Sequence, residues 1–372
     1  MIIHCSLFFL NEYEGNMDLF FMAIALVVLW RMDYSIYNKC YIDKSTGKVL
    51  RGIFASIVVL HHVAHVTYGG RTFRGFANIG FLAVAFFFFM SGYGLQKRYM
   101  SDKSYEKGFL IKRLPALFIP YLIVTVIYWA CYVMCGFDYS VKTMLLSIIS
   151  VESMVANAWY VICILAFYIF FYFAMILCRR RYKLMILCNS VFVVAWFFLC
   201  KYVLHTGIWW YNATVAIVLG SAWAVYEKMI NSVMEKYSGK FLKISGVVFV
   251  VMFMNLDLVY ELSYDMYIFM QSIVAIIFLF FILSMSSKVT VKSKVLSAIG
   301  NISYELYLIH GIWIWFLRHG ALAGINEKIY TFLVIALSII SAYILHKFST
   351  KIYETYLKYI DTRKITEKRV FY

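Results

Sequence analysis

Residues Ala158–Cys178 read AWYVICILAFYIFFYFAMILC and are followed at once by Arg179-Arg180-Arg181. A helix of about 20 apolar residues crosses the roughly 30 Å hydrocarbon layer of a bilayer. This run has that length, carries no charge, and ends on a basic cluster of the kind that cytoplasmic loops retain. Working outward from it, comparable runs occur at Leu50–Tyr68, Ile79–Gln96, Leu117–Met134, Leu184–Tyr202, Trp209–Tyr226, Ile244–Leu262, Tyr267–Ser286, Ile302–Leu317 and Ile329–Leu345, with a shorter one at Met17–Trp30. The expected fold is an all-α, polytopic transmembrane helix bundle of about ten core spans plus one short N-terminal span. The chain of 372 residues agrees in bulk: 63% hydrophobic, 15% charged and a mean hydropathy of +0.78, against about 45–50% apolar and 25% charged in ordinary globular chains.

The formal charge of +16 is no sign of nucleic acid, because the Lys and Arg residues sit in alternate gaps between spans. Gaps 31–49, 97–116, 179–183, 227–243 and 287–301 and the tail after Leu345 are rich in them, while the intervening gaps hold few, such as Lys142 alone or Arg71 with Arg74. That alternation predicts an N-terminus outside and a cytoplasmic C-terminus. It divides the chain into an N-terminal segment with the short span (1–48), a membrane domain (49–347) and a basic cytoplasmic tail (348–372). The first thirty residues lack the basic start of a cleavable signal peptide and carry Glu12, Glu14 and Asp18, and Met17 is an alternative start. Eight cysteines without paired spacing point to neither zinc nor a disulfide scaffold. Pro115 and Pro120 fall together at the cytoplasmic entry to the fourth span, where proline can end one segment and pre-set the first turn of the next. A short interfacial piece is expected at Val141–Val151.

Ionisable side chains inside spans are costly and so point to function. The second span opens with Arg51-Gly52 and contains His61, His62 and His65. Eleven residues at about 100° each return His62 to within roughly 20° of the face of Arg51, and the rise of about 16 Å puts His62 near mid-membrane. His61 lies off that stripe. One reading makes Arg51 an anchor and His62 a packing residue; the other makes them an anion contact and a reactive group. The tenth span adds Ser303, Tyr307 and His310 on one face, as a second wall of a polar cavity or as interhelical hydrogen-bond glue. Ser91-Gly92-Tyr93-Gly94 ends the third span, where two glycines serve helix packing or leave room for a ligand near Arg51. On the other side Trp159, Tyr160, Trp209, Trp210 and Tyr211 fit an interfacial aromatic belt, with stacking on sugar rings as the alternative. Asp257 and Glu261 are further acceptor candidates.

Leu50-Arg51-Gly52-Ile53-x-Ala55 leading to His62, the Phe-Phe-x-x-Ser91-Gly92-Tyr93 segment, and Ile302-Ser303-Tyr304-Glu305-Leu306-Tyr307-Leu308-Ile309-His310 resemble the membrane acyltransferase-3 family over roughly residues 49–345. The resemblance implies an O-acyltransferase of the bacterial plasma membrane that moves an acyl group, acetyl foremost, from acyl-CoA to a carbohydrate. It assigns His62 as the catalytic residue and Arg51, with Ser91 and Arg113, to the donor. Tyr93, Ser303, Tyr307 and His310 then support the cavity, His65 and Trp159 meet the acceptor, and no metal takes part. Trp159 followed by Phe167-Tyr168 is a weaker echo. Two positions depart from the pattern: Ile164 stands where many members carry glutamate, and the second basic residue before the proline of the fourth span is missing. The competing reading is a transporter or flippase for a lipid-linked glycan or small anion, with Arg51 and the histidines lining its path.

Overall fold

A computed structural model describes residues 32–67, 73–319 and 324–370. The short span expected at Met17–Trp30 lies outside the described residues. The rest is helical: α1 (Lys44–Ala64), α2 (Gly80–Ser101), α3 (Phe109–Met134), α4 (Val141–Ser147), α5 (Trp159–Cys178), α6 (Tyr182–Phe198), α7 (Val215–Val225), α8 (Glu227–Met254), α9 (Leu256–Leu262), α10 (Tyr264–Ser286), α11 (Lys294–Asn301), α12 (Ser303–Phe316) and α13 (Glu327–Val370). One departure from the all-helical expectation is an antiparallel ribbon, β1 (Met32–Tyr34) on β2 (Val289–Val291), with Met32 opposite Val291 and Tyr34 opposite Val289.

Among the described residues eight helices are long and apolar enough to cross a membrane, and neither α2 nor α12 is one of them. The second half of α2 carries Ser91, Gly92, Tyr93, Gly94 and Gln96, which lower its apolarity. The span expected at Ile302–Leu317 shortens to the 14 residues of α12, because the chain breaks helical geometry at Ile302 after α11. Three other boundaries also differ from expectation. The stretch 227–243, read as a loop, is the first half of α8: Ile230, Met234 and Ser238 recur at helical spacing, and Met234 and Ser238 are buried. The basic tail after Leu345 continues α13, which runs unbroken for 44 residues. The two prolines do not end a segment either, and α3 passes through both. Proline removes the N–H that would bond the carbonyl four residues back. For Pro115 that carbonyl belongs to Ile111, and the Tyr356 hydroxyl donates to it at 3.3 Å, while Tyr353 donates to the Lys112 carbonyl at 2.9 Å. The Tyr304 hydroxyl donates to the Leu117 carbonyl at 2.8 Å, three residues before Pro120. Hydroxyls from α12 and α13 thus satisfy the backbone at or beside the breaks.

Two close crossings position the core. A methyl group at Gly52 of α1 would lie 2.0 Å from the Leu296 carbonyl oxygen, and one at Gly300 of α11 would lie 1.8 Å from that of Lys48. The same reciprocity joins α2 and α7, where a methyl group at Gly92 would lie 2.1 Å from the Ile217 carbonyl oxygen and one at Gly220 would lie 2.1 Å from that of Phe89. Small residues at a crossing let membrane helices approach backbone to backbone. Gly94, two residues after Gly92, has open space on its side-chain face.

The basic segments gather at one end of the bundle. Arg180 donates to the carbonyls of Tyr99 and Asp102 and pairs with Glu106 at 3.2 Å. Lys97 pairs with Glu227 at 2.6 Å, Tyr41 donates to Asn231 at 2.8 Å, and Asn38 donates to Thr290 at 3.1 Å. At the opposite end Arg318 pairs with Glu327 at 2.7 Å and donates to the Val66 carbonyl at 3.0 Å.

Gly300→Val is expected to cost about 1–3 kcal/mol, the usual cost of overpacking, and to lower the melting temperature of the detergent-purified protein. Gly94→Ala should leave it unchanged; equal loss in both would remove the role assigned to the crossing.

Candidate active site

Asp43 starts α1 by accepting the Thr46 N–H at 2.7 Å. From that start α1 carries Arg51 in its first half and His61, His62 and His65 at its far end. Two cavities lie along it. The first, about 320 Å³, is lined by Arg51 together with Ser91 and Gly94 of α2, Arg113 of α3, Tyr160, Ile164 and Tyr168 of α5, and Ser303 and Tyr304 of α12. The second, about 280 Å³, is lined by His61, His62, His65, Asn157, Trp159, Trp209 and Asn212. Val84 of α2 and Tyr307 of α12 line both and form the wall between them. Because the second cavity takes the C-terminal end of α1 and the N-terminal ends of α2 and α5, the two cavities approach the wall from opposite ends of the bundle.

The histidines have distinct surroundings. His61 is held by the Phe76 carbonyl at 3.0 Å and presses against Gly80, where a methyl group would lie 2.5 Å from its ring. His65 meets the Ala77 carbonyl at 3.1 Å. His310 is fully buried; its Nδ1 donates to the Leu306 carbonyl at 3.1 Å, and its Nε2 has no partner among the described residues. Its ring centroid is 5.0 Å from that of His62. No hydrogen bond from the described residues occupies His62, so both of its ring nitrogens remain available. Arg51 is half-buried, and among the described residues nothing hydrogen-bonds or neutralises it. Among the described residues Arg113 donates a hydrogen bond to the Tyr105 hydroxyl, at 3.1 Å.

A family model for an acyltransferase domain matches residues 42–347. The chain belongs to the acyltransferase-3 family. No curated protein and no solved structure matches it. The architecture and the family together make this a multi-pass membrane acyltransferase.

Of the residues singled out from sequence, Arg51, Ser91, Arg113, Ser303 and Tyr307 of this acyltransferase come together on the first cavity, and His62, His65 and Trp159 on the second. Arg51 and His62 therefore share a helix face without sharing a cavity. His310 sits behind His62, lining neither cavity. Tyr93 lies apart: its hydroxyl donates to Glu227 at 2.7 Å and its ring stacks on Phe89. Asp257 and Glu261 are exposed on α9 and line neither cavity. Tyr304 lies within the quoted Ile302–His310 motif without an assigned role, and Val84, Asn157 and Asn212 are absent from the sequence reading. Of the last three, Asn157, two residues before Trp159, carries a local signal. Among the described residues no group of three or more His, Cys, Asp or Glu side chains is arranged to hold a metal ion.

In a cysteine-free background, Gly94→Cys in the first cavity and His65→Cys in the second should react with a membrane-impermeant maleimide from opposite sides of sealed vesicles. Labelling of both from one side would break the two-cavity arrangement.

Proposed function

We propose that the protein transfers an acyl group, acetyl foremost, from acyl-CoA in the first cavity to a hydroxyl of a cell-surface or lipid-linked carbohydrate in the second. The observation that carries this reading is the wall of Val84 and Tyr307, with an unpaired guanidinium on one side and an unengaged imidazole on the other. The end of the bundle that gathers the basic loops is assigned to the cytoplasm by the positive-inside rule. On this reading the first cavity opens on the side where acyl-CoA is made, and the membrane is a bacterial plasma membrane. Residues 49–347 form the catalytic domain, 1–48 an N-terminal addition, and 348–372 a basic cytoplasmic tail.

Arg51 and Arg113 bind donor phosphates, for which a planar guanidinium offers bidentate hydrogen bonds. A half-buried, unneutralised Arg51 is costly in a membrane protein, and a bound anion offsets that cost. The rise of about 16 Å from Arg51 to His62 matches the reach of an extended pantetheine arm, so the thioester arrives at the wall. The acceptor hydroxyl oxygen attacks the thioester carbonyl carbon, and His62 takes its proton. As the C–S bond breaks the proton passes to sulfur, leaving an ester and free CoA. His310 presents its lone pair beside His62, held in one tautomer by the Leu306 carbonyl.

Cavities entered from opposite ends also suit a transporter, and acyl transfer separates the two readings. His62→Ala is expected to lower transfer by about 10²–10⁴-fold, the usual worth of a general base, while His61→Ala, whose ring is already held by Phe76, retains substantial activity. Both variants are to be checked for expression and melting temperature. Equal loss with folding intact, or full activity of His62→Ala, refutes the assignment. Arg51→Lys should weaken CoA binding in calorimetry by about ten-fold or more, since charge-assisted hydrogen bonds are lost with the fork; unchanged affinity makes Arg51 an anchor.

A further inference from the structure

The second cavity holds an amide that the reaction as proposed does not use. Asn212 lies between the short helical turn Ile208–Trp210 and α7, is only 4% exposed, and lines the cavity wall. Its Nδ2 donates to Gln271 Oε1 at 2.9 Å, and Gln271 in turn donates from Nε2 to the Tyr267 hydroxyl at 2.6 Å. The backbone is held as well: the Asn212 carbonyl accepts from Ser272 at 3.0 Å and its N–H bonds the Ile208 carbonyl at 3.0 Å. Residues of α10 thus orient the side chain completely, yet its Oδ1 has no partner among the described residues. A buried polar atom left unpaired costs free energy that a well-packed apolar side chain would avoid.

We propose that Asn212 is the specificity residue of the acceptor site, its free amide atom hydrogen-bonding a ring hydroxyl of the sugar while Trp159 and Trp209 meet the ring face; this rests on the carbohydrate reading above. The free atom is an acceptor, so it pairs with a hydroxyl and not with a phosphate or carboxylate, which brings no donor. Were the amides of Asn212 and Gln271 both turned over, Nδ2 would be free instead, and a hydroxyl satisfies that too, because it donates and accepts. The indoles supply the complementary surface. Trp209 lines the cavity while folding back over Gly207, where a methyl group would lie 2.3 Å from its ring. Among the described residues no Lys, Arg, Asp or Glu lines this cavity.

The test measures acetyl transfer by the purified full-length protein in nanodiscs, with acetyl-CoA as donor and methyl hexosides, methyl hexuronides and glycerol as acceptors. Asn212→Ala is expected to raise the KM for the hexoside about three- to ten-fold, the worth of one hydrogen bond, with the KM for acetyl-CoA unchanged. Asn212→Leu, which keeps the branching of the side chain without its polar atoms, serves if the alanine variant melts early. An unchanged hexoside KM, or an equal rise in both KM values, overturns the assignment of Asn212 while leaving the carbohydrate reading intact. Transfer by the wild type to glycerol alone, with a KM sensitive to Asn212, upholds Asn212 as a hydroxyl contact and refutes the carbohydrate reading. Preference for the hexuronide, or transfer to no acceptor in the set, overturns the proposal.

Discussion

The backbone contact between α1 and α11 is the constraint on which the site depends. Gly52 and Gly300 each face a carbonyl of the other helix at a distance no side chain could occupy, so the two helices sit as close as peptide groups allow. In hydrocarbon there is no hydrophobic gain from bringing apolar helices together, and close packing has to supply the association. Gly52 immediately follows Arg51, and Gly300 lies three residues before Ser303. The crossing that holds the bundle therefore also sets the depth and rotation of the helix carrying the guanidinium and of the helix carrying Tyr307 and His310. On α2 the second glycine crossing has the same role. Gly92 is consumed by the contact with α7, and Gly94 remains open to the cavity.

The spans were legible wherever a run was both long and free of polar residues, as at Ala158–Cys178, because bilayer thickness imposes one length on all of them. The reading failed where another constraint competed. Residues 227–243 carry the charge of a loop and the periodicity of a helix, and periodicity prevailed because Met234 and Ser238 pack inward. At Pro115 the freed Ile111 carbonyl finds a hydroxyl from Tyr356, distant in sequence, and no local rule contains that partner. Helical spacing correctly placed Arg51 and His62 on one stripe, yet could not show that Val84 and Tyr307 divide the space beside that stripe. Tyr93 shares α2 with Ser91 but points to Glu227, a rotation that only packing against α7 decides. Asn212 was hidden for a plainer reason: a lone asparagine after Trp209-Trp210-Tyr211 reads as a turn, and its relay to Gln271 and Tyr267 comes from another helix.

The wall at Val84 and Tyr307 has an electrical consequence. In the orientation proposed above, the two cavities bring the external and internal solutions closer together there than the bilayer does elsewhere, and the transmembrane voltage falls over a shorter path. Moving one elementary charge through the full drop is worth about 2.3 kcal/mol per 100 mV, and a narrow septum concentrates that work on the few ångströms around it. His62 borders this region, so a proton reaching or leaving its ring moves within the steepest part of the field. In the proposed reaction an energised membrane then acts on that proton's movement.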